Sequence, residues 1–237
     1  MQRLQKIIAN SGFTSRRKAE ELIEQGKVKL NDQLAKLGDK ATETDKITIN
    51  DSPINSKPKN IYYILNKPKG ILVTKTDPKN RRTIYNLKAL KNLQSLNYVG
   101  RLDAMSEGLL ILTNDGDIIQ KLTHPKNAIT KTYQLRTDPV ITKTHITDLK
   151  EGILIDSRKF YAEITKGSPK SYLGYKNNNT FHISIQEGRN RIIRRVLEKL
   201  NYKIFELKRI SVANIKLGNL KPGEIKKFSE EEIKKCL

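Results

Sequence analysis

The chain has 237 residues, enough to bury one good core and carry a small second domain. Its 46 Lys and Arg against 25 Asp and Glu leave a net charge of +21, which demands a polyanionic partner. A membrane is excluded as that partner, because no run approaches the roughly 20 apolar residues of a spanning helix and the mean hydropathy is −0.61. The N-terminus reads as neither a signal nor a transit peptide. The single cysteine, Cys236, allows no intrachain disulfide and suits a reducing cytoplasm.

Charge is unevenly spread. Residues 1–55 hold 10 basic and 8 acidic side chains, whereas residues 56–237 hold 36 and 17. Within 3–11, Leu4, Ile7 and Ile8 fall at helical spacing, and Gly12 stops the helix. Thr14 or Ser15 caps a second helix with Ala19, Leu22 and Ile23 on one face, ended by Gly26. An alternating strand running into a turn follows at 27–32 and another short strand at 47–49, so residues 1–55 are expected to form a satellite domain. The segment 51–60, DSPINSKPKN, has the composition of a linker, with 56–60 as its boundary stretch.

Beyond it, strands are expected at 61–65, 71–74, 109–112, 131–136, 160–165 and 180–186, and helices at 82–90, 117–122, 142–150 and 190–200. Residues 173–179 read as an exposed hairpin loop. Strands and helices mix without a regular βαβ repeat, which predicts an α+β domain over 61–237, built on one mixed, mainly antiparallel sheet.

Ser15-Arg16-Arg17-Lys18 opens the second helix, where unpaired N–H groups and three cations favour a phosphate. By itself this is also what a solvated helix end looks like. The whole stretch RLQKIIANSGFTSRRKAEELIEQGKVKLNDQLAKLGDK resembles the S4 RNA-binding domain. That resemblance implies RNA contacts at Arg3, Arg16, Arg17, Lys18, Lys29 and Asn31.

No phosphate-binding GxxxxGK[ST] loop or GxGxxG turn is present, and His124, His145 and His182 stand singly, without zinc-ligand spacing. The informative stretch is Gly100–Gly116, GRLDAMSEGLLILTNDG, with a carboxylate in a glycine-bounded loop before an apolar strand. Taken blankly, Arg101 and Asp103 are a surface ion pair at a turn. The 17-residue stretch, however, resembles the catalytic motif of the ribosomal pseudouridine synthases that carry an N-terminal S4 domain. Lys131-Thr132-Tyr133-Gln134-Leu135 resembles that family's active-site tyrosine strand, Glu187–Arg195 its third motif, and Asn66–Gly70 the loop opening its catalytic domain. Ile192 departs from the pattern, since relatives commonly carry a polar residue there.

The resemblance implies Asp103 as the catalytic carboxylate, Arg194 as the cation that pairs with it, and Tyr133 beside the base. Lys67, Arg101, Arg189 and Arg191 join the candidate RNA contacts, Arg101 by filling the space a flipped uridine vacates. Chemistry supports these residue types. Isomerising uridine breaks a C–N glycosidic bond, turns the base and forms a C–C bond, with no redox change, so no cofactor or metal is expected. Asp103 can attack the sugar, attack the base or abstract a sugar proton, and the sequence leaves all three open. A nearby cation lowers a carboxyl pKa, and Tyr133 can help to remove the C5 proton. The reacting uridine must leave its stack, which is cheapest in loops and bulges.

A non-catalytic ribosome-assembly factor explains the charge equally well, but not the three filled motifs. An S4-containing methyltransferase needs a glycine-rich nucleotide turn that is missing. The Lys36–Asp39 and Thr76–Thr83 segments look more like the large-subunit enzymes, which favours 23S rRNA over 16S rRNA. The expected partner is rRNA, free or in a pre-ribosomal particle, and the expected state is a cytoplasmic monomer.

Overall fold

The computed structural model describes residues 1–42, 44–54, 58–166 and 180–236. The chain falls into two units: Met1–Ile61 with Asn114–Gly116, and Tyr62–Thr113 with Asp117–Leu237.

In the first unit, β1 (Gln2–Arg3) leads into α1 (Leu4–Asn10), and α2 (Arg16–Glu24) follows after a turn at Gly12. Ser15 caps α2, its hydroxyl accepting from the Lys18 amide at 3.2 Å. Then come β2 (Val28–Leu30), β3 (Gln33–Leu34), β4 (Lys40–Ala41), β5 (Ile47–Ile49) and β6 (Ser52–Pro53). The antiparallel sheet runs β3-β2-β5-β6, while β1 pairs with β4. Leu4, Ile8, Ala19 and Ile23 from the helices close on Val28, Ile47 and Ile49. Helical period on one side and strand period on the other place every one of these residues inward. Ser52–Pro53, expected in the linker, instead pairs with β5.

The second unit holds β7 (Tyr62–Lys67), β8 (Asn97–Val99), β9 (Glu107–Thr113), α3 (Gly116–Thr123), β10 (Lys131–Asp138), α4 (Lys143–Glu151), β11 (Ile153–Ile155), β12 (Arg158–Phe160) and β13 (Glu163–Lys166). It continues with β14 (Thr180–Ile185), α5 (Ile192–Lys199), β15 (Lys203–Val212), β16 (Ile215–Lys216), β17 (Ile225–Phe228) and α6 (Glu230–Lys235). Its main sheet is ordered β13-β14-β10-β15-β9-β7-β17, with β16 on β15 and β8 on β9. Every pairing is antiparallel except β15 with β9. The architecture is α+β on a mixed sheet, as the sequence predicts. β9 sits near the middle with Leu109, Leu110, Ile111 and Leu112 all buried, which explains its unbroken apolar run. Among the described residues, no helix is long and apolar enough to cross a membrane.

Several expectations need correcting. The helix expected over 82–90 is two single 3-10 turns, Ile84–Asn86 and Lys88–Leu90, because Leu87 between them is extended with ψ 136°. Residues 71–74 form no strand: Ile71 and Val73 are buried, but the only β contact there is a bridge from Leu72 to Thr83. The strand expected at 160–165 is split, with Phe160 ending the β11–β12 hairpin and Glu163 starting the pairing with β14. β15, the longest strand described, was not expected at all. The loop expected at 173–179 lies outside the described residues.

Candidate active site

Asp103 sits in a turn that enters β9 from the left-handed Gly100 (φ +67°). The turn is tied down through its carbonyl oxygens. Lys67 Nζ donates to Ala104 O at 3.2 Å, Ser106 O at 2.8 Å and Pro68 O at 2.8 Å. The Gly70 amide donates to Ala104 O at 2.8 Å, and Ser106 N returns to Asp103 O at 3.0 Å. Arg194 Nη2, from α5, donates to Met105 O at 3.0 Å and to Ser106 Oγ at 3.2 Å. A loop whose acceptors are all claimed by fixed donors presents its carboxylate without further ordering.

Arg194 Nε lies 3.8 Å from Asp103 Oδ2. That separation is an ion pair rather than a hydrogen bond. The Arg194 side chain is 12% exposed and that of Asp103 30%, so the pair is only partly screened by water. Burial, then the neighbouring Arg191 cation, presses the Arg194 proton affinity below its usual value, while Asp103 and Glu198 pull it back.

Tyr133 is buried on β10, opposite Ile183 of β14 and Arg209 of β15. Asp103, Tyr133, Arg194, Arg101, Arg209 and Lys131 line one cleft of about 1230 Å³, which also borders Arg158, Lys159 and Arg189. Gly108 sets how closely β9 approaches the backbone of Arg209, which lines the cleft. The glycine has φ +108°, and a Cβ there would stand 2.3 Å from Arg209 O and 2.6 Å from Arg209 N. Only glycine lets β9 and β15 pair so closely.

The structure overturns the expectation that Lys67 touches RNA. Its side chain is 0% exposed and its ammonium serves the Asp103 turn from within. Burial, opposed by Glu107 and Asp103, pulls that ammonium down to about 8. Arg189 changes role as well: it pairs with Glu187 and donates to Ile155 O at 3.0 Å, which commits its guanidinium to the β11–β12 hairpin. Arg101 is exposed at the cleft. Arg191 is also exposed, with a left-handed φ of 50° at the start of α5, 3.8 Å from Glu198. Arg195 turns away from Asp103 to pair with Asp156.

In the first unit, Arg3, Arg16, Arg17 and Lys18 are exposed, Lys18 in a 2.7 Å ion pair with Glu21. Lys29 pairs with Asp51 at 2.6 Å, and Asn31 donates to Asp45 at 2.9 Å while accepting from Lys46 N. Ser106, Lys131 and Arg209 are among the cleft residues that escape the sequence reading. Ser106 and Lys131 lie inside quoted motifs. Arg209 gives no signal, because it sits in a strand whose polar interior hides the alternation.

A family model described as RNA pseudouridylate synthase matches residues 61–199, and a model of the S4 domain matches residues 2–47. The chain belongs to the RNA pseudouridylate synthase family. Among members of this family, ribosomal large subunit pseudouridine synthase B of Bacillus subtilis is 37% identical over 99% of this chain and 95% of that protein. The protein of the same name from Buchnera aphidicola is 37% identical over 94% and 91%. A crystal structure of a pseudouridylate synthase matches all of both chains with a TM-score of 0.69 at 27% identity. Asp103, Tyr133 and Arg194 all lie inside the matched 61–199 segment.

Proposed function

We propose that this protein converts a specific uridine of large-subunit (23S) ribosomal RNA to pseudouridine, using Asp103 and no cofactor. The observation that carries the reading is the meeting of Asp103, Arg194 and Tyr133 in one cleft on a chain of this family. Large-subunit RNA is favoured by the names of the relatives at 37% identity.

The flipped uridine enters with its base against Tyr133 and its ribose near Asp103. Arg194 places its positive charge 3.8 Å from the carboxylate. Arg101, exposed beside the cleft, fills the place the base has left. Tyr133 assists removal of the C5 proton once the new C–C bond has formed. Arg3, Arg16, Arg17 and Lys18 hold the RNA by its phosphates, which fixes register rather than chemistry. The protein acts as a cytoplasmic monomer on free rRNA or a pre-ribosomal particle.

The test is to map pseudouridines in 23S and 16S rRNA from cells with and without the gene, and with Asp103→Asn in its place. One 23S site should vanish in both altered strains. Loss of a 16S site instead would move the substrate to the small subunit.

A further inference from the structure

Two cations of the cleft, Lys131 and Arg209, take no part in the scheme above. Arg209 stands opposite Tyr133 in the β10–β15 register, and Lys131 stands opposite Val212. Lys131 and Tyr133, two residues apart on β10, share one face of the sheet, and the cross-strand pairing of Tyr133 with Arg209 adds the second cation to it. All three line the cleft that contains Asp103.

Both cations are anchored, and neither is neutralised. Arg209 is 3% exposed, and its Nε donates to Leu109 O at 2.8 Å. Lys131 is half-buried, and its Nζ donates to Ile129 O at 3.1 Å. A carbonyl fixes orientation but supplies no counter-charge. Among the described residues no carboxylate lies within ion-pair distance of either. Burial, and then the charge of Arg209, lowers the proton affinity of Lys131, as expected for a cation facing another cation away from water. Unpaired buried charges are costly, and two side by side add repulsion. Among the described residues, the Arg209 guanidinium beyond Nε has no hydrogen-bond acceptor to satisfy it.

We propose that Lys131 and Arg209 form an anion subsite that receives the negative charge developing on the uracil ring as its bond to ribose breaks. The proposal rests on the reading that the base packs against Tyr133. A ring so placed lies over the row shared by Tyr133 and Arg209, at a depth a backbone phosphate on the rim does not reach. When the C1′–N1 bond breaks, its electron pair stays with the base. The base becomes a delocalised anion and C1′ becomes electron-poor. After the ring turns, electrons at C5 form the C1′–C5 bond, the C5 proton leaves and N1 gains a proton, so the sum is an isomerisation. The two cations stabilise only the separated state, which is where stabilisation raises the rate.

The experiment is single-turnover kinetics of the full-length protein at saturating concentration, on an rRNA fragment carrying the mapped uridine. RNA affinity is measured across a salt series in parallel. Lys131→Met keeps the apolar stem and removes the charge, whereas Lys131→Arg restores a cation. Arg209→Lys keeps the charge at the buried position, and thermal melting checks that each variant folds. Lys131→Met should slow the chemical step by about 100-fold with RNA affinity within about twofold, and Lys131→Arg should recover most of the rate. With 5-fluorouridine at the target, C5 carries no proton to lose, so bond breaking and re-attachment at C5 are followed without the final deprotonation, and the penalty of Lys131→Met should shrink because fluorine already stabilises the ring anion. Weaker RNA binding with a shallower salt dependence and an unchanged saturated rate would make the pair a phosphate contact and overturn the proposal. So would unchanged rate and affinity together. In either case, normal conversion by the unsubstituted protein leaves the proposed function standing.

Discussion

Arg194 reaches Asp103 edge-on, with Nε 3.8 Å from Oδ2, while its Nη2 is held by Met105 O and Ser106 Oγ. The guanidinium therefore does two things at once: it clamps the turn that carries the carboxylate and sets a positive charge beside it. Arg194 Nε is buried without a hydrogen-bond partner among the described residues.

The first prediction separates these neighbours. Asp103→Asn is nearly isosteric and should cost more than about 1000-fold in rate, the scale for losing a reacting group, with RNA affinity unchanged. Arg194→Ala should cost about 100-fold, and Arg195→Ala much less, because Arg195 faces Asp156 on the hairpin. Single-turnover rates decide this. Equal losses from the two arginine variants would mean that Arg194 has no special relation to Asp103.

Lys67 predicts opposite responses of rate and stability to pH. Its ammonium deprotonates near 8 in the folded protein, against a usual value of 10.5. Between these values the unfolded chain binds more protons than the folded one, so stability rises with pH, by up to about 3 kcal/mol in total. Over the same range the amine loses a donor and no longer satisfies Pro68, Ala104 and Ser106 together, so the turn loosens and the rate falls as pH passes 8. Urea melts and single-turnover rates from pH 7 to 10 test the pair. Lys67→Met should abolish both trends while lowering stability by roughly 2 kcal/mol for the abandoned carbonyls.

Gly108→Ala should destabilise the second unit by roughly 3 kcal/mol, through overpacking and a positive φ. The added methyl would meet Arg209 backbone, which cannot step aside without parting β9 from β15. Denaturant unfolding measures the loss. A variant as stable as the unsubstituted protein would mean that the two strands separate easily.

How much of this was legible depended on whether the residues concerned were contiguous. Asp103 and the turn around it lie in one stretch of glycines and apolar residues, and Ser15 capping α2 follows from adjacent residues. The Asp103–Arg194 pairing came through family resemblance, because nothing in their separation predicts contact. β15 escaped notice because its buried face carries Leu207 and Arg209, while Glu206 and Lys208 lie beside them, so no apolar alternation survives. Lys67 misled for a related reason. A lysine in a basic chain reads as surface, and only the three carbonyls gathered around it explain why it is buried.

The last prediction concerns Arg16 and Arg17. Both are exposed at the start of α2, where amides not used within the helix add to their charge. The unit they belong to is nearly balanced, with 10 basic and 8 acidic side chains in residues 1–55, so these arginines form a local site rather than part of a broad field. Residues 56–237, with 36 basic and 17 acidic side chains, supply the general attraction to RNA. Reversing both charges, Arg16→Glu with Arg17→Glu, should therefore weaken binding to the proper rRNA fragment by about 10- to 100-fold. Binding to an unrelated RNA of equal length should change far less. The single-turnover rate at saturating protein should stay within about twofold, because register is fixed before chemistry begins. Affinity for both RNAs across a salt series, with saturated rates alongside, gives the answer. Equal loss of affinity for the two RNAs would reduce these arginines to unspecific phosphate contacts, and a large fall in the saturated rate would place them in the chemistry instead.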